Sequence, residues 1–144
     1  MITVSDLLKQ KGGQVWTIAA NTSIRKALKL LAEKDVGALV ITEKGRLCGI
    51  FSERDFARIM AEENQFPLDT PISKVMTADV LTVTPADSVE NCMQVMTDHH
   101  FRHLPVIKND ELVGIVSIGD AVKSIISSQK SFIRQLEDYI SGRW

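Results

Sequence analysis

Apolar positions along this chain switch between helical and strand periods in a repeating order. Val4, Leu7 and Leu8 share one helical face between the cap candidates Thr3 and Ser5 and a Gly12-Gly13 stop, which predicts a helix over Thr3 to Lys11. Val15-Trp16-Thr17-Ile18 reads as a short strand. Asn21-Thr22-Ser23 then offers N-caps to a helix whose Ile24, Ala27, Leu28 and Leu31 recur at helical spacing. Ala38 to Thr42 is a buried strand, Glu43-Lys44-Gly45 a hairpin turn and Leu47 to Phe51 its partner. From Ser52 to about Glu63 the helical period returns, with Phe56, Ile59 and Met60 on one side.

Residues 64–71 break the pattern with two prolines and read as a linker. Beyond it the same order recurs. Ile72, Val75 and Met76 make a helical turn, and Val80-Leu81-Thr82-Val83 a strand. Asp87 is expected to cap a helix with Glu90 as its capping-box partner and Val89, Cys92, Met93 and Met96 as its stripe. His103 to Ile107 and Leu112 to Val116 form a hairpin across Lys108-Asn109-Asp110, and a helix follows from Ser117. Thr17–Arg58 aligns without a gap on Thr82–Lys123, with eight of 42 positions identical. Eight identities alone are weak, but the apolar positions also coincide through a helix and two strands, so the chain is an internal duplication. The expected layout is a first repeat over 1–63, a linker over 64–71, a second repeat over 72–126 and a C-terminal helix over 127–144. On that helix Phe132, Leu136, Tyr139 and Ile140 form an apolar stripe, to be covered by the chain's own body, a second copy or a partner.

Composition narrows the function classes. Residues 1–70 carry ten Lys+Arg against nine Asp+Glu, and 71–144 carry seven against nine. Neither half is basic, so no nucleic-acid partner is expected, and an anionic ligand has to be met by local arrangement. No apolar stretch approaches the length of a membrane span and no leader pattern opens the chain, which makes the expected location cytoplasmic with no membrane partner. Cys48 and Cys92 sit in periodic apolar segments and read as buried reduced thiols.

The chemistry concentrates in one motif and its copy: Gly49-Ile50-Phe51-Ser52-Glu53-Arg54-Asp55 and Gly114-Ile115-Val116-Ser117-Ile118-Gly119-Asp120. Each runs from a strand through Ser into a helix start with Asp three residues later. As structure this is a reciprocal cap. As function, free N–H groups and a hydroxyl at a helix start suit a phosphate, and an acceptor-only carboxylate suits a ribose diol. The glycine three residues before each Ser favours the second reading, and both can hold together.

Two β-α-β-β-α units, each ending in Gly-hydrophobic-x-Ser-x-x-Asp, resemble a tandem pair of CBS (cystathionine-β-synthase) domains, a Bateman module. Phe101-Arg102-His103-Leu104-Pro105-Val106 extends the match, and the resemblance covers about Val4 to Ile126, in the manner of stand-alone CBS-pair proteins. It implies an α+β fold of two pseudo-symmetric repeats packed sheet to sheet, plus the C-terminal helix, and a two-fold disc-like homodimer. It also implies two clefts for adenine nucleotides. Ser52, Asp55, Ser117 and Asp120 would meet the ribose and phosphate, and Arg102 and His103 the phosphates. Val15, Trp16, Val80 and Thr82 on the first strands would line the adenine slot, floored by Ile50 and Ile115. Repeat one has Gly37-Ala38 where repeat two has Arg102-His103, and Arg54 stands where repeat two has Gly119. The two sites are therefore expected to differ, with Arg54 in partial compensation.

His99, His100, His103 and Asp98 lack an evident fourth ligand geometry, so no metal site is expected. No nucleophile–base pair is evident, and catalysis and a catalytic cofactor are not expected. The reading is a non-enzymatic sensor of AMP or NAD acting through a conformational change, for a regulated partner protein. Alternatives are a ligand-free dimerisation or scaffolding module, or a binder of ATP or S-adenosylmethionine.

Overall fold

A computed structural model describes residues 1–62 and 67–142. The chain runs α1 (Val4–Lys11), β1 (Thr17–Ala19), α2 (Ile24–Lys34), β2 (Ala38–Glu43), β3 (Arg46–Ser52) and α3 (Glu53–Glu62) through the first repeat. A 3₁₀ turn at Ile72–Lys74 leads to α4 (Val89–His99), β4 (His103–Lys108), β5 (Glu111–Ser117) and α5 (Ile118–Ile140). The fold is α+β. β1 pairs parallel with β2, which pairs antiparallel with β3, while β4 and β5 form an antiparallel hairpin. The two sheets meet through β3 and β5.

The caps explain where helices begin. Thr3 and Asp6 form a capping box at α1, and Ser23 Oγ accepts from Lys26 N–H at α2. At α4 the expected cap is corrected: Ser88, not Asp87, accepts from Asn91 N–H at 3.0 Å, and no Glu90 box forms. Asp87 lies one residue too early and instead accepts from Thr84 N–H at 2.7 Å, closing the preceding turn. α5 is one unbroken helix from Ile118 to Ile140, so the segment from 127 onward continues the second repeat's last helix.

The expected strand over Val80–Val83 shrinks to a single parallel bridge between Val83 and Val106. Pro105 is the reason. In repeat one, Val40 N–H donates to the Trp16 carbonyl at 3.1 Å, and the residue equivalent to Val40 is Pro105. Proline has no N–H to offer the Leu81 carbonyl, so the ladder starts one residue later.

The core shows an exchange invisible along the sequence. Val4 and Leu7 of α1 are buried with Val89, Cys92, Met96, Leu104 and Val116 of the second repeat. Ile72 of the 3₁₀ turn is buried with Ile24, Ala27, Leu31, Leu39 and Phe51 of the first. Matching backbone bonds seal both crossings: Val4 N–H to Asp87 O at 2.8 Å, and Ile72 N–H to Thr22 O at 2.7 Å. Each repeat's leading segment thus completes the other repeat's core. Cys92 lies in that core, where burial and the nearby Asp87 push its thiol up to about 11, and Cys48 is half-buried; both are free thiols.

Candidate functional site

Two clefts lie where parts of opposite repeats meet. The first, of about 190 Å³, is walled by Ile50, Ser52, Arg54, Asp55, Arg58 and Thr77 on one side and by His99 to His103 on the other. The second, of about 260 Å³, sets Ile115, Ser117, Asp120 and Lys11 against Trp16 and Asp35 to Ala38. His103 lines both. A Ser-Asp motif therefore faces the hairpin start of the other repeat, and the clefts are built by crossing.

In the first cleft, Ser52 N–H and Oγ–H donate to Asp55 Oδ2 at 2.9 and 3.0 Å, and Asp55 N–H donates to Ser52 Oγ at 3.2 Å. In the second, Ser117 N–H donates to Asp120 Oδ2 and Asp120 N–H to Ser117 Oγ, each at 3.0 Å. Both motifs are reciprocal caps. They diverge beyond that. Lys11 Nζ pairs with Asp120 Oδ2 at 2.5 Å and donates to the Ile115 carbonyl at 2.8 Å. Burial pushes the Asp120 carboxyl up, but Lys11 and the Ser117 donors outweigh it and hold the group below its ordinary 3.8. Asp55 has no such cation among the described residues; its carboxylate bonds only Ser52.

Cation placement is the sharper difference. Arg54, Arg58 and Arg102 line the first cleft with Asp55, whereas the second holds Lys11 with Asp35 and Asp120; His103 stands between the two. The expectation that Arg54 compensates for Gly37-Ala38 is corrected: Arg54 and Arg102 share one cleft, so their charges add where they were expected to balance. His103 is buried enough that desolvation holds it below its ordinary 6.5, with Asp120 and Asp55 raising it and Lys11 and Arg102 lowering it. The ring packs against Gly37, where a Cβ would stand 3.1 Å from Nε2. His99 stacks on Phe101 with centroids 6.3 Å apart.

Other expected site residues fall differently. Trp16 lines the second cleft, with Lys34 Nζ 4.4 Å from its ring centroid. Val15, Val80 and Thr82 are not among the residues walling either cleft, and Val80 and Thr82 lie in the segment that Pro105 keeps out of the ladder. Gly119 lies on an outer apolar groove with Arg102, Ile118, Val122 and Ile126. Arg54, its equivalent, reaches the first cleft with a long side chain that Gly119 lacks. The motif glycines serve packing: a Cβ on Gly49 would collide with the Met76 side chain, and one on Gly114 would come within 2.7 Å of Leu8 Cδ2. Sequence reasoning missed Lys11, Arg58 and Asp35, because nothing local to the motifs points to them.

Chemically, the first cleft offers a carboxylate and hydroxyl beside a cationic wall, a set suited to a hydroxyl-bearing anion. No group of three or more His, Cys, Asp or Glu able to hold a metal occurs among the described residues. No helix among them is long and apolar enough to cross a membrane. The CBS domain family model matches residues 4–62 and 72–127. The chain belongs to the CBS-domain family. As a CBS pair it is 35% identical, over 97% of its length and 72% of the relative's, to the mitochondrial CBS domain-containing protein CBSX3 of Arabidopsis thaliana. Its fold matches the CBS-domain containing protein ATU1752 of Agrobacterium tumefaciens with a TM-score of 0.81 and 38% identity, covering 85% of this CBS pair and 98% of that chain. It also matches the CBS domain protein PAE2072 of Pyrobaculum aerophilum, solved complexed with AMP, with a TM-score of 0.73 and 33% identity over 83% and 89% of the two chains. The CBS domain pair of MJ0100, solved with 5-methylthioadenosine and S-adenosyl-L-methionine, gives a TM-score of 0.77 at 26% identity over 90% and 98%.

Proposed function

We propose that this CBS pair is a non-catalytic regulatory module that binds an adenine nucleotide of the AMP or NAD class and signals through a ligand-dependent change of conformation. One observation carries the reading: Ser52 and Asp55 from one repeat converge with Arg102 and His103 from the other, beside Arg54 and Arg58, in a single cleft. Asp55 is the acceptor for a ribose diol, and the three arginines are charge-assisted donors for phosphate. The AMP found in PAE2072 and the adenosyl ligands found in the MJ0100 pair support an adenosine-bearing ligand; the cationic wall favours one that also carries phosphate. A ligand clamped between two repeats binds their closed arrangement better than their open one, and that difference in affinity shifts the population. The resting form is a homodimer, with the exposed apolar residues Ile126, Ile133, Leu136 and Ile140 of α5 among the surface that a second copy covers.

Thermal melting with AMP, NAD, ATP and S-adenosylmethionine tests it. Ligand at one hundred times its dissociation constant stabilises a single site by about 2.7 kcal/mol, which is roughly 5–10 °C for a chain of this size. No shift with any of the four at millimolar concentration sinks the reading. The alternative, a scaffolding module, draws on the complete satisfaction of both motifs as helix caps, and predicts that outcome.

A further inference from the structure

The second cleft is not empty of its own chain. Lys11 Nζ holds both the Asp120 carboxylate and the Ile115 carbonyl, two acceptors that an entering nucleotide would use. The placement is built by the fold. Val4 and Leu7 anchor α1 in the second repeat's core, and Leu8 fills the space that a side chain at Gly114 would need. Just past the helix, a Cβ at Gly13 would stand 2.9 Å from the Val113 carbonyl. Close approach at both points sets the end of α1 against β5, from where Lys11 reaches into the cleft.

The pseudo-symmetric arrangement in the first cleft lacks this occupant. There the leading segment seats Met76 over Gly49, and Thr77 pairs with Ile50 through the backbone, N–H to carbonyl in both directions at 2.9 and 3.0 Å. No side-chain cation bonds the Asp55 carboxylate among the described residues. Both carboxylates are bonded through Oδ2, but only that of Asp120 also has its charge offset by a lysine.

We propose that Lys11 is a resident occupant of the second cleft, so that each chain takes one nucleotide in the first cleft well before a second enters. This rests on the nucleotide reading above and specifies which cleft acts. A ribose diol entering this cleft competes with Lys11 for the Asp120 carboxylate, whose charge Lys11 already offsets. Both side chains are less than a third exposed, so water and salt screen their pairing only in part.

Isothermal titration of AMP and of uncharged adenosine into the full chain and into Lys11→Met tests the proposal. Methionine keeps the unbranched apolar stem and removes the charge, and circular dichroism with a melting curve establishes that each variant is folded. The wild-type chain is expected to show one AMP site, and Lys11→Met a second site for adenosine. Adenosine's diol needs only Asp120, and its lack of phosphate avoids repulsion by Asp35 and Asp120. Its affinity there should be about tenfold or more above that of the wild-type second cleft. Asp55→Asn, which keeps an acceptor for Ser52 but removes the first cleft's carboxylate charge, weakens the diol contact there and so exposes the second cleft: on that background Lys11→Met restores adenosine binding. Two equivalent wild-type sites unaffected by Lys11→Met overturn the proposal and leave the nucleotide reading standing. Weaker binding in Lys11→Met overturns it too, making Lys11 a ligand contact. No heat with either protein overturns the nucleotide reading, and the occupant with it.

Discussion

The helices that supply Ser52-Asp55 and Ser117-Asp120 are copies, yet the clefts they serve are opposites in charge. The first faces Asp55 with three arginines; the second pairs Asp120 with Lys11 and adds Asp35. Part of the divergence lies in the motif helix itself, where Arg54 and Arg58 stand in the first cleft and Gly119 replaces Arg54 in the copy. The rest comes from what the other repeat and the leading helix place across from the motifs. In a duplicated chain whose halves cross, a substitution in one repeat changes the cleft of the other. Gly37-Ala38 and Arg102-His103, equivalent along the sequence, thus shape different clefts by facing the motif they do not belong to.

The comparison can be broken most severely at the crossing itself. Ile72 opens the second repeat's leading segment but is wholly buried in the first repeat's core. Ile72→Ala should cost about 2–5 kcal/mol, read from denaturant unfolding. Amide exchange should locate the loss in α2 and β2 with α4 spared; loss centred on α4 instead would show that the exchange of leading segments is wrong.

Charge comes next. Arg102→Ala should weaken nucleotide binding in the first cleft by about 10- to 100-fold, as expected for a lost charge-assisted contact. Titrations on the Lys11→Met background should show the second cleft unmoved. Equal losses in both clefts would mean that the cationic wall is shared and the asymmetry unimportant.

The smallest effect concerns His103, which touches both clefts. Desolvation holds it below its ordinary 6.5, so the folded state carries fewer protons than the unfolded state between the folded value and 6.5. Stability should then rise with pH through that window and be fully present above it. His103→Gln should flatten that part of the profile, measured by urea unfolding between pH 5 and 8. Phosphate in the first cleft should move the imidazole resonance toward the protonated form, since an adjacent anion favours the cation. An imidazole titrating above 6.5 in the free protein contradicts the burial argument.

Much of this was legible in the residues. Local chemistry marks the helices: Thr3, Ser23 and Ser88 can each fold back on an N–H three residues on, whatever surrounds them. Period-two and period-3.6 patterns mark the strands and helical faces, and their recurrence at one spacing marks the duplication. The family followed from the motif pair, and the fold from the family. Pro105 was visible too, but its effect was not, because losing one N–H matters only when the partner carbonyl, that of Leu81, is known.

By itself, then, the sequence determined the two repeats, their element types and the Ser-Asp pairs that open α3 and α5, since each of these is set by residues a few positions apart. Only the tertiary structure decided which side chains meet across a cleft. Lys11 lies 109 residues from Asp120, and Arg102 lies 47 from Asp55; no local pattern encodes such distances. They close because burying α1 and the 3₁₀ turn in each other's repeats brings the cationic groups to opposite motifs. That packing adds Arg102 to the two arginines that α3 already supplies to one cleft, and sets Lys11 against Asp120 in the other.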